Sequence, residues 1–155
     1  MLVSILMPSL NQSRFLPKAL NSILDQSHGQ LELLVMDGGS NDKSCEILKD
    51  YSHRDDRVRW CSEPDGGPAE AVNKASKLAR GKIIGWLNAD DEYAEKSVEY
   101  AVREFAANPG LAMLYAMFII GRVLLHGVDV PGYASLLTAV LFLGGLQLIG
   151  LGVIG

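Results

Sequence analysis

Cysteine and histidine are too few and too scattered to build a metal centre. The two cysteines, Cys45 and Cys61, form no CxxC pair, and His28, His53 and His126 stand far apart, which excludes a structural zinc site of ordinary ligand spacing. Two isolated thiols give no disulfide framework either; they fit a reduced cytosolic domain in which both pack as small residues. Clustered positive charge is also missing. The chain has 14 Lys and Arg against 18 Asp and Glu, a net charge of -4, and its one basic stretch, Arg54 to Arg59, is broken by Asp55 and Asp56. No face suits phosphate neutralisation, so no nucleic-acid partner is expected. The apolar run Leu2 to Met7 is only strand-length, has no basic leader and stops at Pro8. No secretory signal is read there, and the N-terminal domain is expected to remain in the cytoplasm. A glycine-rich phosphate loop with a basic residue is lacking at the start, which disfavours a nucleotidyltransferase.

Charge itself is nearly absent after residue 108. Hydrophobic residues make up 48% of the 155 residues and the mean hydropathy is +0.15, yet beyond Asn108 the charged residues are Arg122 and Asp129 alone. The chain therefore divides into residues 1–110, a mixed polar domain, and residues 111–155, a hydrophobic membrane-associated tail. Residues 132–155 carry no charge over a length that exceeds the roughly 20 residues of a bilayer span, and they hold glycines that membrane helices tolerate. Gln147 within them would seek a partner helix or a partner chain. Residues 111–125 leave three readings open: an interfacial helix, a truncated span, or a span with Arg122 snorkelling. Because the basic residues precede the clearest span, the first domain is expected on the cytoplasmic side of an inner membrane.

Residues 1–110 alternate short apolar runs with helical patterns, the mark of βαβ units and a mainly parallel sheet. Strands are expected over Leu2–Met7, Leu31–Met36, Val58–Cys61 and Lys82–Leu87, the last suited to burial on both faces. Helices are expected over Ser13–Asp25, Lys43–Tyr51, Pro68–Ala79 and Tyr93–Ala107. On the first, Phe15, Leu16, Leu20, Ile23 and Leu24 form an apolar stripe. Pro17 and Pro68 fall in first turns, where proline is tolerated.

In such sheets ligands bind beyond the carboxyl ends of the strands. Three strand ends here carry acidic and glycine-rich runs: Asp37 to Asp42, Glu63 to Gly67, and Asn88 to Asp91. Carboxylates gathered at one edge repel unless a cation offsets them, and Mg2+ or Mn2+ does so while bridging a diphosphate. Each run alone is also ordinary turn or capping chemistry, and Lys74 alone reads as a solvated helix lysine.

Taken in order, SILMPSLNQSRFLPKALNSILDQ, ELLVMDGGSNDKS and SEPDGGPAEAVNKASKLARGKIIGWLNADDEY resemble the family 2 glycosyltransferases of the GT-A fold, over about the first 110 residues. The resemblance implies a Rossmann-like nucleotide-diphospho-sugar-binding sheet with flanking helices, and transfer of a sugar with inversion from a nucleotide-sugar donor, preferentially a UDP-sugar. It implies that Asp37 contacts the base with Pro8 and Asn11 shaping that pocket, that Asp65 lies near the nucleotide, and that Asn73 and Lys74 support the donor site. Asp90 would be the main metal-linked carboxylate, with Asp91 assisting. The usual aspartate-x-aspartate is altered at Asn88, which can still hydrogen-bond ribose or phosphate. The tail VPGYASLLTAVLFLGGLQLIGLGVIG resembles the membrane hairpin of polyisoprenyl-phosphate (bactoprenol) glycosyltransferases, which implies a polyprenyl phosphate or cell-surface polysaccharide precursor as acceptor. Family members place the general base well after the metal motif; here no residue is assigned to it. Two readings follow: a transferase, or an inactive truncated remnant acting through its membrane helix on a second copy or on a full-length glycosyltransferase partner.

Overall fold

The computed structural model describes residues 1–110, and all that follows concerns those; the tail, with the expected spans at 111–125 and 132–155, lies outside the described residues. Among the described residues no helix is long and apolar enough to cross a membrane. Eight elements alternate: β1 (Val3–Ser9), α1 (Leu16–Leu24), β2 (Leu31–Asp37), α2 (Ser44–Arg54), β3 (Val58–Ser62), α3 (Pro68–Leu78), β4 (Ile83–Trp86) and α4 (Ser97–Ala107). The strands form one parallel sheet in the order β3-β2-β1-β4. The chain winds outward from β1 to β3, then returns to place β4 on the other side of β1. This reversal is a topological switch point, where the connections on either side of β1 leave a crevice.

Alternation along the strands sorts the core into two layers. Ile5, Met7, Leu33 and Val35 pack on one face with Leu16, Leu20 and Ile23 of α1, Leu48 of α2 and Val98 of α4. Leu6, Leu34 and Met36 pack on the other against Ala71 and Ala75 of α3. Small residues on α3 let that helix lie close to the sheet. Every residue of β1 and β2 is buried, as expected of central parallel strands covered by helices on both faces.

Several expectations are corrected. β1 continues through Pro8 to Ser9 instead of turning at Pro8. The Ser9 carbonyl accepts from Gly38 N–H on the β2 side, so the Pro8 nitrogen faces β4, whose pairing with β1 has already ended at Leu6 and Trp86. No ladder donor is lost. Phe15 is left out of the apolar stripe: it caps α1, 42% exposed, with the Arg14 guanidinium over its ring. β4 is buried on one face only, with Ile84 and Trp86 exposed on the other, because β4 is an edge strand of the described sheet and α3 lies over β1 and β2. Helix α4 begins at Ser97, after Lys96 in left-handed backbone at φ 64°, so Tyr93 belongs to the preceding loop. Cys61 is exposed rather than packed, and both thiols are free.

A buried acid holds the lower edge of the sheet. Glu32 on β2, 2% exposed, accepts from Ser4 Oγ at 2.7 Å, Arg80 N–H at 2.7 Å, Arg80 Nε at 2.9 Å and the Arg59 guanidinium at 3.2 Å. Ser4 Oγ in turn accepts from Gly81 N–H at 2.8 Å. A Cβ at position 81 would lie 2.6 Å from the Ser4 nitrogen, so only glycine permits this approach of the α3–β4 connection to β1. Burial pushes the Glu32 carboxyl up, but the hydrogen bonds from Ser4 and Arg80 and the Arg80 charge outweigh it, lowering it from 4.5 to about 2.

Because the folded pKa is depressed, the stabilisation is complete above the ordinary glutamate range and is lost as pH falls toward 2. Arg80 and Arg59 are 66% and 41% exposed, so water takes up part of their charge once the acid is gone. Glu32→Gln should therefore cost about 2–3 kcal/mol at pH 7. Urea unfolding in mild detergent from pH 7 to pH 2 should show the two proteins converging in acid; a gap undiminished at pH 2 would contradict this account.

Candidate functional site

The upper edge of the sheet is held by a second buried acid. Asp37, at the last position of β2 and 1% exposed, accepts through Oδ2 from Ser40 N–H at 2.8 Å, Gly39 N–H at 3.2 Å and Ser62 Oγ at 2.7 Å, with the Cys45 thiol at 3.6 Å, and through Oδ1 from Ser40 Oγ. Burial pushes this carboxyl up; the hydrogen bonds from Ser40, Ser62 and Cys45 prevail and hold it below its usual 3.8. Asp37 thus folds the β2–α2 loop back on itself and ties it to the end of β3. Gly39 takes φ +85° in that loop, a conformation that glycine adopts without penalty.

A strap joins this loop to the one after β1. Asn11 sits in left-handed backbone at φ 53°, which asparagine tolerates better than most residues. Its N–H donates to Ser40 Oγ at 2.7 Å, and its Oδ1 accepts from Asn41 N–H at 2.9 Å. Beside it, Gln12 N–H donates to Ser44 Oγ and Ser13 N–H to Asp42 Oδ2, both at 3.0 Å.

A cleft of about 320 Å3 opens beside these loops, at the carboxyl ends of β1 and β4. It lies at the switch point of the sheet. Of the expected site residues it gathers Pro8, Asp65, Asn88 and Asp90. Asp65 Oδ1 accepts from Gly67 N–H at 2.8 Å, and Gly67, at φ +116°, precedes Pro68 at the start of α3. Gly38 packs against this turn: a Cβ there would lie 3.2 Å from Asp65 Oδ1. Asn88 is fixed at both ends of its amide, Oδ1 accepting from Trp86 Nε1 at 3.2 Å and Nδ2 donating to Asp91 Oδ2 at 3.1 Å.

The other expected residues stand outside the cleft wall. Asp37 and Asn11 act on the loops described above. Asp91 is turned to Asn88. Asn73 is exposed on α3. Lys74 pairs with Glu63 at 2.9 Å and Glu70 at 3.0 Å, which hold its ammonium well above the usual lysine range. Glu70 Oε2 also accepts from Gly66 N–H at 2.8 Å, so Lys74 braces the turn that presents Asp65 and Gly67. Ser9, Leu10, Gln12 and Ala89 also line the cleft and were not singled out from sequence. They flank the motif residues, which was the available signal. Ser9 Oγ is the buried side-chain polar atom left without a hydrogen-bond partner among the described residues.

The charges define what the cleft can hold. Its charged lining residues are Asp65 and Asp90, with no lysine, arginine or histidine among the rest. The amides of Gly66 and Gly67 at the start of α3 already serve Glu70 and Asp65, so the helix terminus offers them to no anion. A diphosphate placed here would meet like charge unless a cation came with it. Oxygen donors of this kind fit a hard divalent ion, Mg2+ or Mn2+. Among the described residues no group of three or more His, Cys, Asp or Glu is arranged to hold a metal ion by itself. Asp90 would then share the ion with phosphate oxygens, a usual arrangement for Mg2+.

Comparison with known proteins agrees with this architecture. The chain is 35% identical over 114 residues to a chondroitin synthase of Pasteurella multocida (strain Pm70), covering 74% of this chain and 12% of that protein. Among solved structures, S. aureus TarS 1-349 in complex with UDP-GlcNAc superposes with a TM-score of 0.66 at 22% identity, over 76% of this chain and 38% of that one. The mannosyltransferase PcManGT from Pyrobaculum calidifontis, in complex with GDP-Man and Mn2+, gives 0.63 at 22% identity, over 70% and 33%. These structures share the fold, and the chain spans a small part of each of the three proteins. The sequence pattern of glycosyl transferase family 2 matches residues 4–127, and the chain belongs to that family.

Proposed function

We propose that residues 1–110 bind a nucleoside-diphosphate sugar, preferentially a UDP-sugar, and serve as the donor half of an inverting glycosyl transfer. The observation that carries this reading is the cleft at the switch point, which sets Asp90 and Asp65 beside Asn88 with no cation among its lining residues. Pro8 and the strapped loops of Asn11 and Asp37 shape the base end. Asp37 contributes chiefly by fixing the β2–α2 loop, since its carboxylate is already served by protein donors. Lys74 and Glu70 hold the turn that carries Asp65. A Mg2+ or Mn2+ ion held through Asp90 would offset the charge that develops on the leaving diphosphate; Asp91, tied to Asn88, would take a lesser part. For inversion the acceptor oxygen must approach the sugar carbon opposite that diphosphate and give up a proton to a base.

The uncharged run of residues 132–155 supports a membrane location, with the donor domain on the cytoplasmic side, and its likeness to a bactoprenol-glycosyltransferase hairpin supports a polyprenyl phosphate or a polysaccharide precursor as acceptor.

Calorimetric titration of UDP into the detergent-purified chain tests the donor site. Binding should require Mn2+ and weaken roughly tenfold or more in Asp90→Ala, whereas Asp91→Ala should retain most of the affinity. Metal-independent binding, or none by a folded sample, would overturn the assignment. Nucleotide binding without release of UDP from any donor would instead favour the inactive remnant.

Fractionation tests the location. The chain should stay with membranes through an alkaline carbonate wash, with its N-terminal domain open to protease from the cytoplasmic side; recovery in the soluble fraction would defeat that part of the proposal.

A further inference from the structure

Trp86 is 57% exposed, the highest value among the exposed large hydrophobic side chains of the described residues. An indole left in water is usually covered by something, a ligand or another apolar surface. This one is held in a set orientation. Its Nε1 donates to Asn88 Oδ1, so the indole, itself outside the cleft lining, is anchored to a residue of the cleft wall. Its backbone is fixed as well: Trp86 pairs with Leu6, and its carbonyl accepts from Tyr93 OH at 3.3 Å. Ile84 is also exposed, but it lies two residues further back along the strand.

A pyranose has the complementary chemistry. One face of its chair presents C–H groups that pack on the electron-rich face of an aromatic ring, while its hydroxyls point sideways to amides and carboxylates. Asn88 has one carbonyl lone pair and one N–H left after its bonds to Trp86 and Asp91. An exposed aromatic surface therefore stands against an oriented amide of the cleft wall.

We propose that Trp86 is a stacking platform for a sugar ring beside the donor cleft, with Asn88 as its polar partner. The proposal rests on the donor-cleft reading. The ring can belong to the donor or to the acceptor, and the two sources separate experimentally.

Trp60→Phe leaves Trp86 as the sole tryptophan of the chain. In that background, with Mn2+, its emission is followed during titration with UDP, with UDP-glucose, UDP-galactose and UDP-N-acetylglucosamine, and with free β-linked glucose and N-acetylglucosamine tetrasaccharides. A response to a nucleotide sugar beyond that to UDP assigns the platform to the donor sugar; a response to a free tetrasaccharide assigns it to the acceptor. Trp86→Ala should weaken the responding ligand roughly three- to tenfold, with UDP affinity held within about twofold, and Trp86→Phe should recover most of the loss. If UDP binds by calorimetry and no sugar is distinguished from it, the platform is overturned and the donor site stands. If sugars act without UDP binding, the platform stands and the donor site falls. If nothing binds, both fall. Emission typical of a buried indole in the free protein would also overturn the platform, since the ring would already be covered.

Discussion

Strand β2 buries a carboxylate at each end, and the edges of the sheet are organised around those two charges. An ionised acid taken out of water without partners would shift its pKa until it became neutral, or would prevent burial of the strand. Glu32 and Asp37 avoid this by gathering donors from nearly every neighbouring segment. At the lower edge Glu32 draws in Ser4 of β1, Arg59 of β3 and Arg80 from the α3–β4 connection. At the upper edge Asp37 draws in the β2–α2 loop and Ser62 of β3. Hydrophobic contact alone would let strands slip in register; two charges with directional partners penalise any slip, because each would lose its donors at once.

The same arrangement carries stability into function. A donor site must hold its polar groups in place before ligand arrives, because reorganising them during reaction costs binding and rate. Asp37 fixes the β2–α2 loop, Asn11 ties that loop to the end of β1, and Gly38 packs on the turn of Asp65. The loops around the switch point are therefore linked to one another as well as to the sheet. Lys74 extends the linkage through Glu63 and Glu70 to the first turn of α3. Its pairing with two glutamates leaves Lys74 no free positive charge to offer the cleft.

Much of this was legible in the sequence because parallel α/β architecture writes itself in period and punctuation: apolar runs of strand length, helical stripes, and acidic or glycine turns at the carboxyl ends. What was not legible depended on neighbours distant in the chain. Pro8 reads as a strand terminator until β4 is seen to end its pairing before reaching it. Ile84 and Trp86 read as core until β4 is placed at the edge. Phe15 has the right spacing for the α1 stripe but sits one residue before the helix, where its side chain no longer follows helical periodicity. Glu32 stood inside the apolar run LELLVMD as a visible anomaly, yet its partners Arg59 and Arg80 lie 27 and 48 residues on. At the site, the runs after β3 and β4 meet in the cleft while the run after β2 lies beside it; the family resemblance already ranked Asp90 ahead of Asp91, and the geometry sets Asp90 in the cleft wall and Asp91 against Asn88.

That division turns on Asn88. An aspartate here would stand opposite Asp91 Oδ2, now 3.1 Å from the Asn88 amide nitrogen, and two carboxylates so close would raise one another's pKa and press apart. The asparagine makes the contact attractive and uses it to hold Asp91 out of the cleft wall. It also removes one negative charge, so that only Asp65 and Asp90 remain among the charged lining residues, supplied by two different loops. In the proposed complex a cation bound through so few protein charges would depend on phosphate oxygens for the rest of its coordination. The nucleotide, facing two carboxylates and no lysine or arginine in the wall, would depend equally on the cation. Their binding is then mutually reinforcing by linkage, and the free Asn88 amide positions remain available for neutral hydroxyls, which is the chemistry a sugar brings.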